Sequence, residues 1–144
     1  MSLTMTRSER ESFLAGIHVG VIAIADPDPS RAPLTAPIWY DYRPDVGVWL
    51  VTDPGSRKGV ALEKAGRFSL VAQTEDMPYK YVSVEGPIIE TRVGDKERDL
   101  RPMARRYLGE AFGDQYTEAQ SQPGRTYVMR PARWLSVDYA KLGS

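Results

Sequence analysis

The sequence predicts a mainly β chain with peripheral helices: six to seven largely antiparallel strands curled into a small closed barrel, with two or three helices outside it. Three observations carry this. Short runs of β-branched and aromatic residues alternate with turn residues, as at Asp26-Pro27-Asp28-Pro29 and Asp45-Val46-Gly47. The early runs are joined too closely for parallel crossovers, which favours antiparallel pairing. Gly86-Pro87 interrupts the long run 79–93, and a bulge or bend there would curl a sheet towards a barrel. No repeat, low-complexity tract or linker divides residues 1–144, a length that suits one domain with a sizeable core.

Taken in order, residues 6–15 read as a helix, with Thr6 and Glu9 at capping-box spacing and Gly16 closing it. His18 follows at a helix–strand junction, where a lone histidine is structural rather than catalytic. Residues 20–25 form a first strand of small and branched residues. After the turn-rich connection 26–31, residues 32–42 read as a second strand. Pro33 and Pro37 make it an edge or bulged strand, and leave backbone groups near Thr35, Ala36, Pro37 and Ile38 free for a ligand. Trp39, Tyr40 and Tyr42 read as wall and core.

Residues 49–73 read as strand, tight turn, short helix, turn and strand. Asp53-Pro54-Gly55 stops the first strand, Ser56 caps the helix, and Gly66 supplies the left-handed conformation after it. Beyond the polar loop 74–78 comes the interrupted strand 79–93. A helical stretch covers 94–110. Pro102 either kinks it or, if the helix starts after Asp99, occupies the tolerated first turn. Arg101, Arg105 and Arg106 read as outward-facing and solvated, and 111–125 as a polar loop with at most one more helical turn. Residues 126–130 and 134–139 supply two last strands.

The chemistry concentrates at Ser56-Arg57-Lys58. A helix N-terminus offers unpaired N–H groups and the positive end of the helix dipole, and Ser56, Arg57 and Lys58 add a hydroxyl, a planar fork and a compact cation. With the hydroxyl of Thr52 at the preceding strand end, they make a seat for a phosphate. The plainer alternative is a capped surface helix carrying two solvated cations.

Composition narrows the choice of chemistry. Nineteen basic residues balance nineteen acidic ones, so there is no electrostatic case for nucleic acid or an anionic membrane. The absence of cysteine excludes disulfides and thiolate metal sites, and a single histidine leaves little for a metal centre or a Ser-His-Asp triad. No apolar run is long enough to span a bilayer. Residues 13–25 end in Ala-Ile-Ala like a signal-peptidase site, but their upstream flank 7–11 is not positive, so a cytoplasmic protein is expected.

The order of these parts resembles the pyridoxamine 5'-phosphate oxidase-like split β-barrel superfamily, in particular its actinobacterial flavin- or deazaflavin-dependent reductase branch. The resemblance lies in Gly20–Ala25, Pro33–Tyr40, the Thr52-to-Lys58 turn followed by Arg67–Val71, Tyr79–Gly86, and Asp95–Gly109 with its Arg106-Tyr107-Leu108-Gly109 ending. Pro102 departs from the helix-former expected there. The resemblance implies an FMN-binding-like split β-barrel and a homodimer with cofactor sites across the subunit interface. It implies an oxidoreductase that moves hydride between coenzyme F420, or alternatively FMN, and a small conjugated or aromatic substrate. The phosphate would sit on Thr52, Ser56, Arg57 and Lys58, and the ring along Thr35–Ile38. Gln73, Tyr79 and Lys80 would lie nearby, and the segment ending at Trp134 would reach the partner's site. One Arg-Lys pair, with Lys64, Arg67 and Lys80 beyond it, leans to F420 over FMN. No side chain is assigned as a catalytic acid or base, since hydride transfer belongs to the cofactor. Alternatives are an FMN-dependent oxidase of the pyridoxamine-phosphate type, a non-catalytic cofactor or tetrapyrrole-binding module, and a plain dimeric β-barrel interaction protein.

Overall fold

The computed structural model describes residues 2–143. Its eight strands are β1 (Gly20–Ile24), β2 (Leu34–Ile38), β3 (Asp41–Arg43), β4 (Gly47–Thr52), β5 (Arg67–Gln73), β6 (Lys80–Val93), β7 (Arg125–Met129) and β8 (Arg133–Asp138). Every pairing is antiparallel, in the order β2-β1-β5-β6-β7-β4-β3, with β8 also on β6. The sheet curls as expected but stays split, because β2 and β3 end the path and do not pair with each other.

β6 organises the curl. Its first half pairs with β5 and β8, its second half with β7, so the sheet folds into two leaves along one strand. Gly86 lies at the fold. A Cβ there would come within 1.9 Å of the Arg130 carbonyl oxygen, so the crossing requires glycine. The bulge itself falls one step later than expected, between Ile88 and Glu90, while Gly86 and Pro87 stay in register with Phe68 and Arg67.

The expected second strand, 32–42, is two strands in different leaves. At the break Tyr40 leaves the ladder for Tyr107: its N–H donates to the Tyr107 hydroxyl at 3.1 Å, and that hydroxyl shares its one proton between the carbonyls of His18 at 2.6 Å and Tyr40 at 2.9 Å. The buried Tyr40 hydroxyl donates to the Leu14 carbonyl at 2.7 Å. β2 has a neighbour on one side only, which is where Pro37 is tolerated.

Ile22, Ile24, Leu50, Leu70, Val82, Val84, Tyr127 and Met129 fill the interior between the leaves. Helix α1 (Arg7–Ala15) closes one side with Leu14, and α2 (Arg57–Ala65) another with Ala61 and Leu62. Both helices begin as the sequence indicates. Thr6 and Glu9 form a capping box, Ser56 accepts from the Gly59 N–H, and Gly66 ends α2 at φ 68°.

The third helix differs from expectation. A π-helical turn, Lys96–Leu100, leads into α3 (Arg101–Ala119), so Pro102 sits in the first turn. Residues 111–119, expected as loop with at most one helical turn, are helical, and the chain bends at Gly109, whose φ of 80° and ψ of 173° break the helix in two. The halves then pack closely: a Cβ on Gly113 would lie 2.6 Å from the Arg105 Cα. Arg101 and Arg105, expected to be merely solvated, clasp the halves together. Arg105 grips Asp114 at 2.7 and 2.9 Å, and Arg101 reaches Asp114 at 2.8 Å and also pairs with Glu97 and Glu118. Arg106 turns inward, donating to the carbonyls of Ala15, Gly16 and Tyr40. No helix among the described residues is long and apolar enough to cross a membrane.

Candidate functional site

A groove of about 870 Å³ opens where the end of β4, the start of α2 and the edge strand β2 meet. Its volume lies within the roughly 300–1,000 Å³ of typical small-molecule sites. Val51, Thr52 and Lys58 line one end, and Pro37, Ile38 and Trp39 a side wall. The second half of α3 and the approach to β7 complete the lining through Tyr116, Gln120–Gly124 and Arg125.

The cationic end is built by local chemistry. Ser56 accepts from the Gly59 N–H at 3.1 Å and donates to the Asp53 carbonyl at 2.6 Å, which ties the turn to the helix start. Gly59 is required there, since a Cβ would approach the Asp53 carbonyl oxygen to 2.3 Å. Lys58 faces the groove with no hydrogen-bond or ion-pair partner among the described residues. Arg57 does not border the groove. It lies on a separate hollow of about 280 Å³, 61% exposed, with its guanidinium 3.1 Å from Asp26. The Asp28 N–H, with help from Arg57, holds the Asp26 carboxyl below the usual carboxylate range.

Of the other sequence-predicted residues, Pro37 and Ile38 join Thr52 and Lys58 in the groove. Thr35 and Ala36 lie just upstream on β2, opposite Ala23 and Ile22, with Ala36 against the core. Gln73, Tyr79, Lys80 and Trp134 are not brought to this groove in the single chain. Gln73 ends β5 opposite Tyr81, Lys80 starts β6, and the Tyr79 carbonyl accepts from the Tyr139 N–H. Trp134 meets Tyr42 edge-on at 5.8 Å, under the Arg10 guanidinium.

Sequence reasoning missed two parts of the site. One is the pair of α3 rings that complete the wall expected of Trp39: Trp39 stacks on Tyr107 at 5.2 Å with 6° between the rings, and Tyr116 leans on Trp39 at 5.2 Å. No spacing advertises this: nine residues apart, Tyr107 and Tyr116 would point to opposite sides of a straight helix, and the bend at Gly109 is what lets both meet Trp39. The other is Arg125, whose strand partner is Thr52.

Two further ionisable groups stiffen the surround. Asp99 is only 2% exposed, and burial would raise its pKa. Hydrogen bonds from Arg98 and Arg92 outweigh that and hold the carboxyl below its ordinary value. Burial, and then the neighbouring Glu63, push the Tyr127 hydroxyl up to about 12. His18 sits outside the groove, stacked on Phe13, with Nε2 3.0 Å from the Phe13 carbonyl oxygen. Among the described residues, no group of three or more His, Asp or Glu side chains could hold a metal ion. The arrangement offers a cation at one end and flat apolar walls beyond it, which suits a planar ring carrying an anionic tail.

Comparison with solved structures gives the same fold. A conserved hypothetical protein, Rv2991, from Mycobacterium tuberculosis superposes with a TM-score of 0.80 at 24% identity, covering 99% of this chain and 90% of that one. An F420 reductase gives 0.70 at 18% identity, covering 87% and 94%. A FAD-binding protein from Mesorhizobium loti gives 0.63 at 18% identity, covering 92% and 94%. No curated protein matches the chain. The family profile described as pyridoxamine 5'-phosphate oxidase matches residues 6–138. The curled antiparallel sheet split between β2 and β3 therefore belongs to a member of the pyridoxamine 5'-phosphate oxidase family.

Proposed function

We propose that the protein is an oxidoreductase that transfers hydride between bound coenzyme F420, with FMN as the alternative, and a small conjugated or aromatic substrate. The observation that carries this reading is the groove itself, with unpaired Lys58 at its cationic end and Trp39 and Tyr116 on its walls. The F420 reductase and the FAD-binding protein among the structural neighbours support a flavin-type cofactor. The bound ring supplies the hydride chemistry. This chain's residues bind and orient. Lys58, Thr52 and the first N–H groups of α2 hold the phosphate. Ser56 acts through the cap, and Arg57 joins only by leaving Asp26. Pro37 and Ile38 back the ring, with Thr35 and Ala36 continuing the same edge.

The reading includes a homodimer. Across the outer face of one leaf, Pro37, Val21, Val71, Ser83 and Leu135 stand opposite one another on five adjacent strands. The row is uncharged, with Val21 38% and Leu135 59% exposed. A second copy covers such a face by the same face, burying the roughly 1,200–2,000 Å² of a stable interface. Gln73, Tyr79 and Lys80 border it, and with the segment ending at Trp134 they serve the second copy's groove.

The test is the absorption spectrum of the purified protein, followed by titration with F420 and FMN and by substrate-dependent oxidation of the reduced cofactor. Tight binding without turnover against conjugated acceptors leaves a carrier or sensor. Binding of neither cofactor defeats the reading. Sedimentation as a monomer at micromolar concentration with cofactor bound defeats the shared site.

A further inference from the structure

We infer that Arg125, rather than Arg57, is the second cation of the anion seat, and that it closes on the phosphate from the strand opposite Lys58. This rests on the cofactor-binding reading above. Arg125 and Thr52 are directly paired in the β4–β7 ladder, so their Cα atoms lie roughly 4.5–5.5 Å apart and their side chains share one face of the sheet. Both line the groove together with Lys58.

The guanidinium is positioned from behind. Its Nη2 donates to the Thr91 hydroxyl at 3.0 Å, and its Nε lies 3.0 Å from Glu63 Oε1 without the alignment of a hydrogen bond. Glu63 is fixed in turn by the Tyr127 hydroxyl, which donates to the same oxygen at 3.0 Å. Nη1 has no hydrogen-bond partner among the described residues, so the fork retains donor capacity. Gly124, at φ 79°, brings the chain down beside β4: a Cβ would meet the Thr52 carbonyl oxygen at 3.2 Å. Both arginines have an acidic neighbour, Arg57 in Asp26 at 3.1 Å and Arg125 in Glu63 at 3.0 Å, but only Arg125 lines the groove, while Arg57 lies on a separate hollow.

A phosphate bound here accepts from the Lys58 ammonium on one side and the Arg125 fork on the other, with the Thr52 hydroxyl between. Such charge-assisted contacts are individually strong.

Calorimetric titration of F420, FMN and inorganic pyrophosphate into wild type, Arg125→Gln, Arg125→Lys and Arg43→Ala tests this. Arg43 is an exposed cation at the end of β3 and controls for the loss of one positive charge. Arg125→Gln should weaken all bound anions roughly ten- to hundred-fold, while Arg43→Ala changes them less than about twofold. Arg125→Lys keeps the charge without the fork and should fall between; it also serves if Arg125→Gln does not fold. Equal affinities in the Arg125 and Arg43 variants overturn the seat, and if cofactor still binds tightly the redox reading survives that failure. Pyrophosphate binding that depends on Arg125, with neither cofactor taken up, sustains the seat and defeats the redox reading. Absence of binding by all three probes to wild type defeats both.

Discussion

Helices α2 and α3 both contribute to the groove, through Lys58 and Tyr116, and they are built by different means. Everything that starts and stops α2 lies within its own few residues: the Asp53-Pro54-Gly55 turn, the Ser56 cap and Gly66 in the left-handed region. The first half of α3 is held to the second by partners 9, 13 and 17 residues away, through Arg105–Asp114, Arg101–Asp114 and Arg101–Glu118. One wall of the groove is thus fixed locally and the other by a clasp across a bend. Local chemistry gives a fixed cationic end, whereas the clasped wall, with Tyr116, depends on charges that salt and acid can loosen.

The largest effects should come where each helix needs a glycine against backbone. Gly59→Ala sets a methyl against the Asp53 carbonyl, and Gly113→Ala sets one against Arg105. Each should cost about 1–3 kcal/mol of overpacking, read as a lower urea midpoint with an unchanged slope. The comparison sharpens if Gly59→Ala also abolishes cofactor binding while Gly113→Ala only weakens it. Next, Ser56→Ala should lose about 1 kcal/mol, the ordinary worth of an N-cap, by thermal or urea unfolding. A loss near zero would mean that the turn, not the cap, fixes α2.

Acid should separate the walls further. Hydrogen bonds from Arg105 and then Arg101 lower the Asp114 pKa to about 2. The folded state therefore binds fewer protons than the unfolded chain, whose aspartates titrate near about 3.9. The clasp is intact above about pH 4 and weakens as pH falls towards 2. Trp39 and Tyr116 should report this as a fluorescence change ahead of global unfolding, and coincident transitions would break the comparison.

The smallest effect is expected at His18. Burial lowers its pKa, so the folded state resists protonation and loses stability as pH drops below the unfolded value of about 6.5. His18→Gln should remove that dependence and leave turnover unchanged. Loss of turnover with cofactor affinity intact would assign His18 a chemical role.

The parts legible in the sequence were those whose causes are local. Capping at Thr6 and Ser56, the αL glycine at 66 and the edge proline at 37 each act on neighbours in the chain. Misreadings fell where a distant residue decides. The break between β2 and β3 is made by Tyr107 bonding Tyr40, 67 residues away. Residues 111–119 looked like loop because their polar side chains answer arginines beyond helical spacing, and Arg106 looked solvated because its carbonyl partners lie in α1's exit and β3's approach. In the groove, the position of Lys58 was legible from its place beside the cap. Arg125 was not, since only the β4–β7 register brings it to Thr52.

β6 carries a consequence for how the molecule comes apart. Fourteen residues long, it belongs to both leaves, bonded to β5 and β8 early and to β7 late. Neither leaf can open while the other stays whole, so unfolding should be a single cooperative event. The amides of Val82 and Val84, buried between two strand neighbours, should then exchange with solvent only through global opening, and at matching rates. The amides of β2 and β3, at the two ends of the path, should exchange by fraying long before.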